Sequence, residues 1–241
     1  MNVTALTDAM TSADKPLTTE EMTRLFSVLS HDLKSPIFSI DGFSELLISD
    51  YSDKLDEDGR DFLNRIRSSA QQMKRILDEM SHLVKLLARA NQPSVVSLDE
   101  IIEEILVKYA YLIEEGKVRV QRSESCPSVT GDPEKIREAL SALVSNALLF
   151  NDRPVSERTI SIDCERRGDQ WALCVSDNGI GIDSRYVGQI FDFGLKLDKS
   201  RGGGPGYGLF LAKRVAESYG GHVAVESTLG EGSRFCLMIP A

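Results

Sequence analysis

No run of apolar residues in this chain approaches the ~20 that a membrane-spanning helix needs, and the polar, Thr-rich stretch from Met1 to about Pro16 lacks the apolar centre of a secretion signal. The expectation is a protein without membrane insertion, working in the cytoplasm. Cysteine is scarce. Cys126, Cys164, Cys174 and Cys236 lie far apart and offer no paired metal-ligand spacing, so buried reduced thiols are expected and no zinc site. Positive charge is in deficit: 28 Lys+Arg face 37 Asp+Glu, a formal net charge of -9, which argues against bulk attraction to nucleic acid or anionic lipid. Any anionic ligand must be gripped locally.

With 241 residues of which 41% are hydrophobic, the chain can fill one large or two modest cores, and its pattern favours two domains. The first is helical. Met22, Phe26, Leu29, Leu33, Pro36, Ile40, Phe43 and Leu47 recur at alternating fours and threes, and so do Phe62, Ile66, Ser69, Met73, Ile76, Met80, Leu83 and Leu87. Two such seams predict a helical hairpin whose small core is completed by a second copy, a homodimeric four-helix bundle. His31 lies midway between Leu29 and Leu33, on the face opposite the seam, so its ring is expected in solvent. A neutral imidazole there can act as a nucleophile, with Asp32 orienting one ring nitrogen. Pro36 removes an amide donor one turn later, at ~3 kcal/mol in a helix interior, and predicts a bend or loosened turn. On the helix alone, an ordinary surface histidine explains His31 equally well, and His82 reads as a rim or surface residue.

In chain order, residues 1–17 read as a flexible leader, 18–90 as the hairpin, 91–96 as a linker marked by Asn91-Gln92-Pro93-Ser94, and 97–241 as a mixed second domain. There, 97–115 reads as a helix capped by Ser97 with Glu100 three residues on. Residues 117–122 alternate as a strand, and Asp132-Pro133 opens a helix carrying Ile136, Leu140, Leu143, Val144 and Leu148. Paired strands follow over 159–166 and 170–177, then a short helix over 184–191, a helix up to residue 219, and strands over 222–227 and 233–239. The fold class is α+β: a two-helix hairpin dimerising into a bundle, then an α/β sandwich with helices on one face of a mixed sheet.

Two glycine-rich stretches carry the chemistry of the second domain. Asp177-Asn178-Gly179-Ile180-Gly181 follows an apolar strand, so an aspartate able to accept from a base amino group stands where backbone can approach a ligand. A tight turn is the plain alternative. Gly202-Gly203-Gly204-Pro205-Gly206-Tyr207-Gly208-Leu209 is denser in glycine than a turn requires and opens into a helix, the form of a phosphate cradle. Lys196, Lys199 and Arg201 before it are candidates for a positively charged lid, or for a solvated loop. Asn146, on the preceding helix, can offer a neutral oxygen to Mg²⁺. The glycines do not follow a strand in a βαβ unit, so the dinucleotide fingerprint does not fit. Asp192-Phe193-Gly194 lacks the companions of the protein-kinase magnesium motif and reads as a loop.

From about residue 20 to its end the chain resembles the transmitter core of two-component sensor histidine kinases. Ser30-His31-Asp32-Leu33-Lys34-Ser35-Pro36 resembles the family's H box, Asn146-Ala147 its N box, Asp177-Asn178-Gly179-Ile180-Gly181 its G1 box, Ile190-Phe191 its F box, and Gly204-Pro205-Gly206-Tyr207-Gly208-Leu209 its G2 box. Gly230-Glu231-Gly232-Ser233 resembles a further glycine turn of the family. The resemblance implies a dimerisation and phosphotransfer bundle followed by the ATP-binding sandwich shared with gyrase and MutL. His31 then accepts the γ-phosphoryl group of ATP with Asp32 as proton acceptor or orienting group, Asn146 binds Mg²⁺, and Asp177 reads the adenine amino group. Gly179, Gly181, Gly204, Gly206 and Gly208 shape the pocket, with Tyr207, Leu209 and Lys199 beside them. The implied partners are a second copy, the receiver domain of a response regulator, and a separate sensory protein or domain.

Three departures bear on that expectation. Ala142 stands where the family often has a second asparagine, Leu149 where it often has a basic residue, and Ser35 where members that dephosphorylate their regulator commonly carry Thr or Asn. Ala142 and Leu149 favour an alternative, a dimeric phosphorelay adaptor or regulator phosphatase with weakened ATP binding; the intact glycine boxes oppose it. A gyrase-like ATPase is disfavoured because its catalytic carboxylate is absent at Ala142.

Overall fold

The structure, a computed structural model, describes residues 19–197 and 206–240. The leader expected over 1–17 and the candidate residues Lys199, Arg201 and Gly204 lie outside the described residues. The chain divides into two compact units, one up to Arg89 and one from Ala90.

The first unit is an antiparallel hairpin of α1 (Thr19–Asp50) and α2 (Glu57–Ala88), joined by a single 3-10 turn (Ser52–Lys54). Asp56 starts α2 by accepting the Gly59 amide at 2.8 Å, and Glu57 and Asp58 suit the positive end of the helix. Polar ties fix the register: Ser30 to Ser81 at 2.9 Å, Lys34 to Asp78 at 2.7 Å, and Arg67 to Glu45 at 2.6 Å. These ties lie on both sides of Pro36, where a bend or loosened turn was expected, and with Ile37 buried α1 is one helical run through the proline. The line closed within the hairpin is Ser30, Ile37 and Ser44 on α1 and Ala70, Leu83 and Leu86 on α2. Most of the apolar seam read from the sequence stays open. Leu29, Leu33, Ile40, Phe43, Leu47, Phe62, Ile66 and Met73 are between 41% and 67% exposed.

The second unit begins with β1 (Ser94–Ser97), a strand where a linker was expected, pairing antiparallel with β3 (Ser128–Gly131). Ser97 caps α3 (Leu98–Lys108) by accepting the Glu100 amide at 3.3 Å. The single helix expected over 97–115 is broken at Tyr109, and α4 (Ala110–Gly116) follows as a separate helix of about two turns before β2 (Arg119–Arg122). Asp132, 1% exposed, caps α5 (Pro133–Leu149) through the amides of Glu134 and Lys135. Next come β4 (Thr159–Arg167), β5 (Gln170–Asp177), α6 (Gly208–Ser218), β6 (His222–Thr228) and β7 (Gly232–Pro240). The sheet order is β2-β4-β5-β7-β6, with β2–β4 parallel and the rest antiparallel. Ile102, Ile105, Leu140, Leu143, Val144 and Val215 are at most 1% exposed and, with Ile162, Leu173 and Phe235 of the sheet, form the core. Residues 184–191 form successive turns, not the helix expected, closed by Gln189 N–H to Tyr186 O and Asp192 N–H to Gln189 O. A segment that short does not recover the cost of helix nucleation from its own hydrogen bonds.

The expectation of reduced thiols is overturned. The four cysteines pair as Cys126–Cys164 and Cys174–Cys236. Cys174 and Cys236 face each other in the β5–β7 register although 62 residues apart, and both are buried. Sheet pairing creates the juxtaposition, which linear spacing does not reveal. With no free cysteine left, thiols no longer argue for a reducing compartment.

Candidate functional site

His31 sits on the outer face of α1, its side chain 86% exposed, with Nδ1 3.1 Å from Oδ1 of the equally outward Asp32. Ser35, one turn on, is also exposed. Lys34 between them turns to Asp78 on α2, so the hairpin uses that side chain and leaves the imidazole to solvent. The geometry leaves Nε2 open whenever the ring proton sits on Nδ1 and points at Asp32.

In the second unit the site is built around the end of β5. Asp177 accepts the Gly179 amide at 2.8 Å, and the amide of Ser233, its neighbour across the β5–β7 register, also donates to its carboxyl. Burial nevertheless pushes the carboxyl up to about 6, against the pull of those two amides. The loop after it is held by backbone contact. A Cβ at Gly179 would lie 2.2 Å from the Phe150 carbonyl oxygen, and one at Gly181, where φ is +64, would lie 1.9 Å from that of Thr228. Only glycine permits both approaches.

Three residues that the sequence reading did not single out complete this wall. Asn151, 5% exposed, donates through Nδ2 to Thr159 O and Asn178 Oδ1, both at 3.0 Å. Arg153 donates from Nε to Asn178 O at 2.7 Å and from its terminal guanidinium nitrogen to Gly230 O, tying the loop to the β6–β7 turn. Ser233 was visible only as part of a glycine turn; that it meets Asp177 depends on strand register.

The third part is the start of α6. Tyr207 stands at its N-cap position without a side-chain cap hydrogen bond, so the amides of Gly208 and Leu209 lead a helix end suited to anions. Gly208 lies against α5, where a Cβ on it would come 3.3 Å from that of Ala142. Asn146 is half-buried on the same helix, one turn beyond Ala142, and Leu149 is 38% exposed. Asp177, Gly179, Gly181, Asn146 and the Gly206–Leu209 run all belong to one unit, whereas His31, Asp32 and Ser35 belong to the other.

An exposed histidine on a hairpin and a sandwich with an aspartate-glycine loop define a class: a phospho-acceptor unit joined to a nucleotide-binding unit. A family model for the His Kinase A (phospho-acceptor) domain matches residues 21–89, and one for the histidine kinase-, DNA gyrase B-, and HSP90-like ATPase matches 131–241. Cyanobacterial phytochrome B of Nostoc is 32% identical over 90% of this chain and 29% of its own length, and the sensor-like histidine kinase SenX3 of Mycobacterium tuberculosis is 30% identical over 88% and 52%. Full-length ShkA, solved in complex with AMPPNP, has the same fold at a TM-score of 0.68 and 21% identity, covering 90% of this chain and 45% of that one. The histidine kinase AdeS of Acinetobacter baumannii follows at 0.56 and 19%, covering 87% and 97%. By its two domains the chain belongs to the histidine kinases and carries their transmitter core. It spans less than a third of the phytochrome's length and about half of SenX3.

Proposed function

We propose that this chain is an ATP-dependent protein-histidine autokinase that phosphorylates His31 and hands the phosphoryl group to an aspartate on the receiver domain of a response regulator. The observation that carries the reading is His31 itself, 86% exposed and 3.1 Å from Asp32 through Nδ1. With the proton on Nδ1, the Nε2 lone pair attacks the γ-phosphorus, the bond to the β–γ bridging oxygen breaks, and ADP leaves with that electron pair. The Nδ1 proton passes towards Asp32, which neutralises the phosphorylated ring. Ser35 offers a hydroxyl that can orient water for the reverse, dephosphorylating step on the regulator.

In the other unit, Asp177 accepts from the adenine amino group, Gly179 and Gly181 bring backbone against the base, and the amides at Gly206, Tyr207, Gly208 and Leu209 receive phosphate oxygens. Lys199 and Gly204 belong to the same proposal but lie outside the described residues. The described residues hold no group of three His, Cys, Asp or Glu fit to cage a metal. That suits Mg²⁺ arriving on the triphosphate, with the Asn146 amide oxygen as a protein ligand. The ion supplies charge neutralisation of the phosphates. The standing Asp177 loop and α6 start support the kinase over the adaptor, despite Ala142 and Leu149.

The open seam of α1 and α2 suits a second copy, giving the four-helix bundle. ATP as substrate supports a cytoplasmic location; separately, no described helix is long and apolar enough to cross a membrane. Sensory input comes from another protein or domain. The test is incubation of the purified chain with Mg²⁺ and γ-labelled ATP beside His31→Gln. Acid-labile, alkali-stable label confined to the His31 chain is expected; absence of label from both overturns the autokinase.

A further inference from the structure

Phe193 is 49% exposed, an unusual position for a large aromatic that fills no core. It is not idle. Its ring stacks on Tyr207 with centroids 4.4 Å apart and planes 5° from parallel, and meets Phe210 edge-on at 5.3 Å and 77°. Tyr207 precedes α6 and Phe210 lies three residues on, so one ring spans the first turn of the helix, with Gly208 and Leu209 between its two contacts. From the α5 side the same turn is closed by Ala142, 3.3 Å from where a Gly208 Cβ would stand.

Phe193 is itself held firmly. The preceding Ile190 is 6% exposed, Phe191 packs edge-on against Phe235 of β7 at 6.5 Å, and the Asp192 amide donates to Gln189 O at 2.8 Å. The two chain segments also meet directly. A Cβ at Gly206, where φ is +87, would lie 2.9 Å from Leu195 O and 3.3 Å from the Gly194 carbonyl carbon. The segment 190–195 is thus a splint anchored in the sheet at Phe191 and laid across the start of α6 at Phe193.

We infer that Phe193 is a positioning residue for phosphate binding: through Tyr207 and Phe210 it fixes the amides of Gly208 and Leu209 in the direction that receives phosphate oxygens. It acts on the phosphates through the helix turn and does not touch the base, whose pocket is at Asp177. The inference rests on the ATP-binding reading above. It predicts a loss that depends on the phosphates and not on adenosine.

The experiment is calorimetric titration of the full chain with ATP and, separately, with adenosine, for the wild type, Phe193→Ala, Phe193→Leu and Phe193→Tyr. With two aromatic contacts removed, Ala and Leu should weaken ATP about 5–10-fold while adenosine shifts by less than about twofold, and Tyr should restore ATP binding. Because Phe193 is half exposed, its loss leaves the core intact; Leu keeps the bulk should Ala melt early. The inference is overturned if Leu binds ATP as the wild type does, or if adenosine weakens by the same factor. A wild type that binds no ATP overturns the ATP-binding reading itself, a separate result from a wild type that binds while the variants match it.

Discussion

A buried carboxyl works against the fold that holds it, and Asp177, proposed above to read adenine, illustrates the conflict. Its ordinary value of 3.8 is raised to about 6, so between those values the folded chain without ligand holds the neutral acid where an exposed aspartate would be ionised. The sign follows: the stabilising contribution of the raised group is full below 3.8 and is lost as pH rises through about 6. Asp177→Asn should therefore raise the stability of the ligand-free unit at pH 7.5 by about 1–2 kcal/mol, with no gain at pH 3.5. Thermal melts at the two pH values check this. The same substitution should cost ATP affinity at least about tenfold, because the amide offers the adenine amino group no charged acceptor. For the wild type, titration with adenosine, which carries no phosphate to titrate, should show affinity falling as pH drops through about 6, with Asp177→Asn flat over that interval.

At the scale of elements, the cap of α5 and the β5–β7 pairing carry the site. Asp132 receives the amides of Glu134 and Lys135 and, from outside the helix, that of Gln92 at 2.9 Å. Asp132→Ala should lower the stability of the second unit by about 2 kcal/mol in urea unfolding. Ser97, Asp132, both long helices and the glycine loops were legible in the sequence because caps, periodicity and glycine clusters act over a few residues. The Ser97 cap proved correct, but the helix behind it stops at Tyr109. The strand at Ser94–Ser97 was misread because its partner β3 is distant in sequence, and the turns over 184–191 because so short a segment does not recover the cost of helix nucleation. The Cys174–Cys236 disulfide and the Asp177–Ser233 contact were likewise hidden, because they exist only through the β5–β7 register. Reduction should cost the second unit about 2–4 kcal/mol, read as the difference in melting with and without reductant. Replacement of both Cys174 and Cys236 by Ala should reproduce most of that loss.

At the scale of the whole molecule, the proposed dimer rests on the open seam. Phe43, at 67% exposure, and Phe62, at 62%, belong to the stripe that the hairpin does not cover. Phe43→Asp with Phe62→Asp should turn a dimer into a monomer in analytical ultracentrifugation, leaving ATP binding by the second unit intact. The order of strands has a different consequence, for synthesis on the ribosome. β7 is inserted between β5 and β6, which are both made before it. Until it arrives Asp177 lacks Ser233, Cys174 lacks Cys236, and the inner edges of two strands stand unpaired, an invitation to wrong partners. The nascent chain can finish its phospho-acceptor hairpin before β7 is made, but the sheet of its nucleotide-binding unit stays open until β7 is inserted.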